Sequence, residues 1–365
     1  MPTSFEITSS TGRYPVHIGP GLIDGATRAP GERVFIVDAF LADQFRAVGV
    51  DPLVVEADEH AKSLQRMTEV IVQLRERRAT RATELIAVGG GVVQDVAAFA
   101  ASIYMRGVAW TYAPTTLLSM MDSCIGGKSS INVGRYKNIV GTFHPPVAVL
   151  VDPAMTGTLS AEQRAAGLCE AAKICLCRGR DSFEHHLALR PSVRLDENGL
   201  AAICDHSLRA KKWFIETDEF DKNERLLLNF GHTFGHAIEA ASGFSVSHGI
   251  AVGLGMLAAL RLGEEMGRDY DRIAHVGRFR DHVTDLVETV DGLGAVLSAM
   301  SIPMLMDAFG SDKKHGRDRF AVITVSQAGS VQREFLPRDV TSSAMIERAY
   351  AAMIADRAMA GALAA

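Results

Sequence analysis

The chain has 365 residues, 47% of them hydrophobic and 22% charged, with a formal net charge of −5. That apolar content supports a well-buried core, and the length is about twice that of a usual domain, which excludes a disordered chain and points to two domains. The negative balance offers no basic field for nucleic acid or acidic lipid, no apolar run is long enough to span a bilayer, and the opening residues Met1 to Gly12 are too polar for a secretory signal, so a cytoplasmic protein is expected.

In chain order, Val34–Val37 reads as a buried strand ending at Asp38, and the spacing from Lys62 to Arg78 predicts a helix with its charges on one face. Leu85–Val88 is a second strand, running into Gly89-Gly90-Gly91, and Val147–Val151 is a third. Strands separated by helices imply βαβ units and a parallel sheet. After Thr158 the texture changes. Ser160-Ala161-Glu162-Gln163 fits a capping box, and from there to about residue 300 the chain is rich in Ala and Leu and poor in strand signals. Phe320–Val325 is a late strand, and the Ala-rich tail after Tyr350 reads as a helix that frays. The expected architecture is an α/β dinucleotide-binding domain over residues 1–159, followed by a mainly α-helical metal- and substrate-binding domain over 160–365. The five cysteines, Cys124, Cys169, Cys175, Cys177 and Cys204, lack zinc-finger spacing and read as reduced thiols of a cytosolic protein.

The run Gly89-Gly90-Gly91-Val92-Val93-Gln94-Asp95 follows a strand and opens a helix, where glycines let backbone N–H groups approach a pyrophosphate. A glycine triplet by itself is more often just a tight turn. Asp38 suits a ribose hydroxyl, although a surface turn is its commoner use. Thr115 and Thr116 add hydroxyls, Gly126-Gly127 would admit a ligand against the main chain, and Lys128, Lys137 and Asn138 add donors in one loop-rich stretch. Lys128, Lys173, Lys211 and Arg225 stand in apolar or glycine-rich surroundings, which suits a phosphate or carboxylate better than a solvated charged face does.

The densest chemical signal is Asn229-Phe230-Gly231-His232-Thr233-Phe234-Gly235-His236-Ala237-Ile238-Glu239. His232 and His236 are four apart and project from one helix face. Ser247-His248-Gly249 follows where a capping serine would start the next helix, so His232 or His236 is placed to converge with His248. Glu170 and Lys173 share a face of the helix beginning at Ser160. Two histidines and a carboxylate form a common catalytic zinc set. The spacing is not His-Glu-x-x-His, so a zinc-protease reading has little support.

Taken together, these blocks resemble the 3-dehydroquinate synthases, within the sugar-phosphate cyclase group. The resemblance runs from Val16-His17-Ile18-Gly19-Pro20-Gly21-Leu22 to Asp312-Lys313-Lys314 and includes Tyr104-Met105-Arg106-Gly107. It implies a carbon–oxygen lyase that uses NAD and one divalent metal, zinc first and cobalt as the alternative, held by Glu170, His232 and His248. It implies substrate contacts from Asp122, Lys128, Asn138, Lys173, Lys211, Arg225, Asn229, His236 and one of Lys313 and Lys314, with Lys314 favoured. Of these, Lys128, Lys173, His236, Arg225 and Asn229 carry the catalytic roles. Arg106 resembles an arginine that reaches into the neighbouring subunit's site, which implies a homodimer. For NAD the matching positions are Asp38, Glu59, Lys62, Gly90, Gly91, Asp95, Thr115, Thr116, Asp122, Lys137 and Thr158.

Some residues depart from the family pattern. Gln94 stands where these synthases usually carry glycine, Ile250 replaces an acidic or amide residue, and His144-Pro145-Pro146 resembles cyclases of other sugar phosphates. The expected substrate is 3-deoxy-D-arabino-heptulosonate 7-phosphate. The alternatives are an amino-heptulosonate phosphate or sedoheptulose 7-phosphate, then a metal-dependent polyol dehydrogenase, and last an inactive binding protein. A buried Arg225 lacking an anionic partner would be costly, so a carboxylated substrate is expected to be preferred over sedoheptulose 7-phosphate by at least about a hundredfold.

Overall fold

The computed structural model describes residues 2–134 and 136–363. They form two compact units, one made of residues up to Thr158 with Asp196–Phe220, the other of Leu159–Leu195 with the chain from Asp221 onward.

The first unit opens with a hairpin, β1 (Thr3–Ser9) and β2 (Gly12–Ile18), then α1 (Leu22–Arg28), β3 (Arg33–Asp38), α2 (Ala42–Ala47), β4 (Leu53–Val55) and α3 (Leu64–Glu76). It continues through β5 (Glu84–Gly89), α4 (Gly91–Ile103), β6 (Trp110–Pro114), a small hairpin β7 (Ile131–Val133) and β8 (Tyr136–Val140), and β9 (Ala148–Val151). The main sheet has the order β1-β2-β9-β6-β5-β3-β4. Every pair in it is parallel apart from the β1–β2 hairpin. The central strands are continuous apolar runs because helices cover both faces, as parallel sheets require. On one face Phe35, Val37, Ile86, Val88 and Ala113 pack with Ile23, Leu41 and Phe45. Ser63 caps α3 by accepting from the Arg66 N–H, so the helix begins two residues later than its charge spacing predicts.

The chain then enters the second unit as α5 (Ala161–Arg178) and α6 (Arg180–Ala188) before supplying α7 (Glu197–Thr217) to the first. Ser160 and Gln163 form the expected capping box at the start of α5. The placement of α7 corrects the expected single boundary near residue 160. It packs on the N-terminal hairpin and on the turn Ser119–Ser123 that follows β6: Lys212 Nζ donates to the Glu6 carbonyl (2.5 Å), and Ser207 Oγ to that of Met121 (3.0 Å). Composition marks where helices become dense, but not which core a helix's buried face will cover.

The second unit adds α8 (His232–Ala241), α9 (His248–Glu265), α10 (Ala274–Val287), α11 (Leu293–Ser298), α12 (Ile302–Gly310), the hairpin β10 (Arg319–Val325) and β11 (Val331–Pro337), and α13 (Val340–Leu363). Helix α9 is its axis, buried along nearly its whole length from Gly249 to Gly263. The tail beyond Tyr350 is helical to Leu363, and any fraying past that point lies outside the described residues. Among the described residues no helix is long and apolar enough to cross a membrane.

Two imidazoles meet inside this bundle: His186 on α6 and His282 on α10 approach at 3.3 Å between their Nε2 atoms. Burial pushes the His282 imidazolium down to about 4. The unfolded chain therefore binds this proton more readily, so the stabilisation is complete above about pH 6.5 and is lost as the pH falls toward 4. We expect unfolding measurements to show a loss on the order of 3 kcal/mol across that window from this group, about 1.4 per pH unit. His282→Gln should remove that part of the pH dependence; an unchanged slope would assign it elsewhere.

Candidate active site

The first unit holds a glycine turn at the place where its sheet changes direction. From β3 the chain passes to β4 on one side and then, through α3, to β5 on the other. In open α/β sheets, ligands bind outside the carboxyl ends of the strands at such a point. The ends here are Asp38 and Gly89-Gly90-Gly91, with Gly90 as the N-cap of α4. Asp38 accepts from the Phe40 N–H (3.0 Å), which shapes the following turn. Thr115 is buried, and Thr116 donates its hydroxyl hydrogen to Ser119 (2.8 Å). Thr158 and Lys137 are exposed.

Lys62, Asp95, Glu59 and Asn138 converge in this unit. Lys62 Nζ lies 2.8 Å from Asp95 Oδ2 and 3.9 Å from Glu59 Oε1, and donates to Asn138 Oδ1 at 2.9 Å. Burial, partly offset by Lys62, raises the Asp95 carboxyl to about 6. A separate pair joins Lys211 on α7 to Asp122, with Nζ 2.5 Å from both the Asp122 carbonyl and Oδ1. Lys128 Nζ sits 5.8 Å from the Phe143 ring centroid. Arg106 is exposed on a turn where Met105 and Arg106 both take positive φ, 49° and 70°. Gln94, a departure from the family pattern, is explained by packing: its Nε2 donates to the Ser123 carbonyl (2.7 Å), and its Oε1 accepts from the Ser123 hydroxyl (2.5 Å). His144 contacts the Val108 carbonyl (3.0 Å), and Ile250 is fully buried.

In the second unit α5, α8 and α9 bring Glu170, His232 and His248 together, and glycine makes the approach possible. A Cβ on Gly249 would collide with the Ala166 carbonyl of α5, and one on Gly255 with the Gly231 carbonyl at the start of α8. We expect Gly249→Ala to cost about 1–3 kcal/mol of stability through overpacking and to weaken divalent-metal retention in a chelator competition. Unchanged retention would show that this contact does not set the site.

Glu170 is 0% exposed. Its Oε2 is paired with Lys173 Nζ, one turn along α5. Its Oε1 lies 4.0 Å from His232 Nε2 and 3.8 Å from His248 Nε2. These separations exceed hydrogen bonds and approach the roughly 3.4 Å edge of a tetrahedron whose ligands stand about 2.0–2.1 Å from zinc. Each ring is also oriented from behind. His232 Nδ1 lies 3.4 Å from the Phe230 carbonyl, and His248 Nδ1 lies 3.3 Å from the Glu239 carboxylate. With Nδ1 carrying the hydrogen, both Nε2 lone pairs face Glu170, the arrangement metal-binding histidines adopt. The donor set fits a divalent metal. Burial, then the charge of Lys173, holds the His232 imidazolium well below its usual range, which keeps that ring neutral. For His248 burial acts downward, but the Glu239 hydrogen bond and charge together with Glu170 raise it overall.

His236, Glu239 and His248 form a second group of close donors. Glu239 is engaged with His248 Nδ1 there, and the His236 side chain is 45% exposed, 3.8 Å from Asp312 Oδ2. Burial raises the Asp312 carboxyl, but the His236 hydrogen bond and the Lys314 charge more than offset this and hold it well below the usual range. Lys314 Nζ lies 3.3 Å from the same carboxylate, which joins Lys314 to His236. Arg225 is 3% exposed and its Nε lies 3.1 Å from Asp221 Oδ1. Asp221 thus gives Arg225 an anionic partner within the protein, in addition to the substrate carboxylate expected of it. Asn229 Nδ2 donates to the Leu226 carbonyl (3.0 Å). Glu239 was missed as a working residue in the sequence, although its His-x-x-Glu spacing from His236 placed it on the same helix face.

Two family models match adjoining stretches of the chain, the 3-dehydroquinate synthase N-terminal model over residues 52–166 and the C-terminal model over 167–315. The chain belongs to the 3-dehydroquinate synthase family. A 3-dehydroquinate synthase of Nitrobacter hamburgensis is 34% identical, covering 94% of this chain and 97% of its own. Among solved structures, 2-epi-5-epi-valiolone synthase from Streptomyces hygroscopicus subsp. jinggangensis, with NAD+ and Zn2+ bound, superposes at a TM-score of 0.76 and 25% identity, covering 94% of this chain and 97% of that one. A 2-deoxy-scyllo-inosose synthase complexed with carbaglucose-6-phosphate, NAD+ and Co2+ superposes at 0.82 and shares the fold at 23% identity, covering 95% and 99%. Members of the 3-dehydroquinate synthase family are carbon–oxygen lyases, and this one has their parallel-sheet unit followed by their helical unit.

Proposed function

We propose that the protein converts 3-deoxy-D-arabino-heptulosonate 7-phosphate to 3-dehydroquinate and phosphate as a cytoplasmic homodimer. The observation that carries this reading is the pair of Nε2 atoms of His232 and His248 aimed at a buried Glu170, in a member of this family. Glu170, His232 and His248 would hold one divalent ion, zinc or cobalt. NAD would lie against Gly90 and Gly91, with Asp38, Glu59, Lys62, Asp95, Thr115, Thr116, Asp122, Lys137 and Thr158 around it. When bound, the nucleotide supplies a reversible oxidation of the substrate's carbon-5 alcohol, and the metal polarises the same oxygen.

The chain's own residues bind, orient and move protons. Lys173 fixes Glu170, and Glu239 fixes the tautomer of His248. Arg225 and Asn229 take the substrate carboxylate and its adjacent hydroxyl. Lys128, Asn138, Lys211 and Lys314 clamp the anionic and hydroxyl groups, with Asp122 and Lys173 completing the set. The ammonium charges of the lysines stabilise phosphate as its bond to carbon breaks. His236, held by Asp312 and half open to solvent, is suited to pass a proton at its imidazole near neutral pH. Arg106, exposed on its strained turn, reaches the partner subunit's site.

The test is turnover with NAD well below the substrate concentration. We expect many phosphates released per NAD and no lasting NADH absorbance, because oxidation and reduction close within one cycle. NADH accumulating one-for-one with turnover would replace this reading with a dehydrogenase.

A further inference from the structure

We propose that Asn132 is a positioning residue that couples the nucleotide contacts to the substrate contact at Asn138. The inference rests on the functional reading above, which gives Glu59 and Lys62 to the nucleotide and Asn138 to the substrate.

Asn132 lies in β7 and is 7% exposed. Both ends of its side-chain amide are used. Nδ2 donates to Glu59 Oε1 at 2.8 Å and to the Glu59 carbonyl at 3.3 Å. Oδ1 accepts the main-chain N–H of Asn138 at 2.8 Å. The Asn132 main-chain N–H donates to the Lys62 carbonyl at 2.7 Å. Lys62 closes the circuit, since its Nζ donates to Asn138 Oδ1 at 2.9 Å and pairs with Asp95 at 2.8 Å.

Asn138 needs this support. It takes φ 54°, in the left-handed region, where the β7–β8 register is irregular. That conformation is uncommon within a strand and is selected here by bonds from outside it. One bond fixes its backbone and the other its amide, and both come from residues that also hold the nucleotide contacts. A ligand that steadies Glu59 and Lys62 therefore steadies Asn138, and by linkage the substrate steadies the nucleotide contacts in return. A buried amide satisfied at both ends passes a shift from one end to the other, because leaving either end unmet is costly.

The two ends are separable by mutation. Asn132→Asp keeps an acceptor for the Asn138 N–H but loses the donor and sets a carboxylate against Glu59. We expect its NAD dissociation constant to rise about tenfold or more, with the substrate KM at saturating NAD within about twofold of the wild type. Asn132→Ala loses both arms, and both constants should rise. Asn138→Gly retains the backbone conformation without the amide, so KM should rise, and NAD affinity should fall by a smaller factor because Lys62 loses that acceptor. Melting temperatures and active-site counts normalise each value to folded protein. If the Asn132 variants are merely less stable, with both constants unchanged per folded site, the coupling is overturned. A wild-type protein that neither binds NAD nor releases phosphate would instead overturn the functional reading itself.

Discussion

Replacing His248 with alanine should strip the metal and the activity together. With His232 and Glu170 left, two protein ligands remain, and two do not retain zinc under dialysis. We expect metal content to fall from about one ion per chain to near none. Turnover should fall at least about a thousandfold, on the order of 4 kcal/mol of transition-state stabilisation. His236→Ala is the contrast. Its ring stands beside Asp312 and is 45% exposed, so that variant should keep its metal while losing about a hundredfold in rate. Elemental analysis decides. Stoichiometric metal in the His248 variant would sink the triad, and metal loss in the His236 variant would shift the site to the second donor group with Glu239.

Substrate choice should turn on Arg225. Sites built to bond a polar group reject analogues lacking it by as much as roughly 10⁴-fold, because the site's own group is then left unpaired. Asp221 already sits 3.1 Å from the Arg225 Nε, so the penalty for an absent substrate carboxylate is smaller here. We therefore expect the carboxylated heptulosonate phosphate to exceed sedoheptulose 7-phosphate by about a hundredfold in kcat/KM, roughly 3 kcal/mol. Arg225→Met should erase most of that preference by weakening the acid alone. Equal turnover of the two substrates by the unaltered protein would show that Arg225 serves the fold through Asp221 and not recognition. The departures that lean toward other cyclases weigh less now that their contacts are known: Gln94 is locked to Ser123, and Ile250 is core packing.

The alternation of apolar strands and helices, the Ser160 capping box and the strand ends at Asp38 and Gly89 were all legible in the sequence, because each depends on local spacing or backbone chemistry. The family resemblance also named Glu170, His232 and His248 as the expected metal set, and these three side chains do come together as one group of close donors. Spacing alone left His232 and His236 equivalent, since residues four apart share a helix face. Only the packing of α8 and α9 on α5 separates them, by turning the Nε2 of His232 toward a buried carboxylate and leaving His236 beside Asp312. The serine before His248 occupies the N-cap, yet its hydroxyl has no hydrogen-bond partner, so the local signal gave the right boundary for the wrong reason. Helix α7 joins the first unit because it packs on the N-terminal hairpin and on the turn that follows β6, and Arg225 finds Asp221 because a buried cation is held where an anion meets it. The sequence by itself determined which groups of the right chemistry exist and which local elements carry them. Which of those groups face one another was decided by the tertiary structure, because burial and pairing depend on surfaces that are distant along the chain.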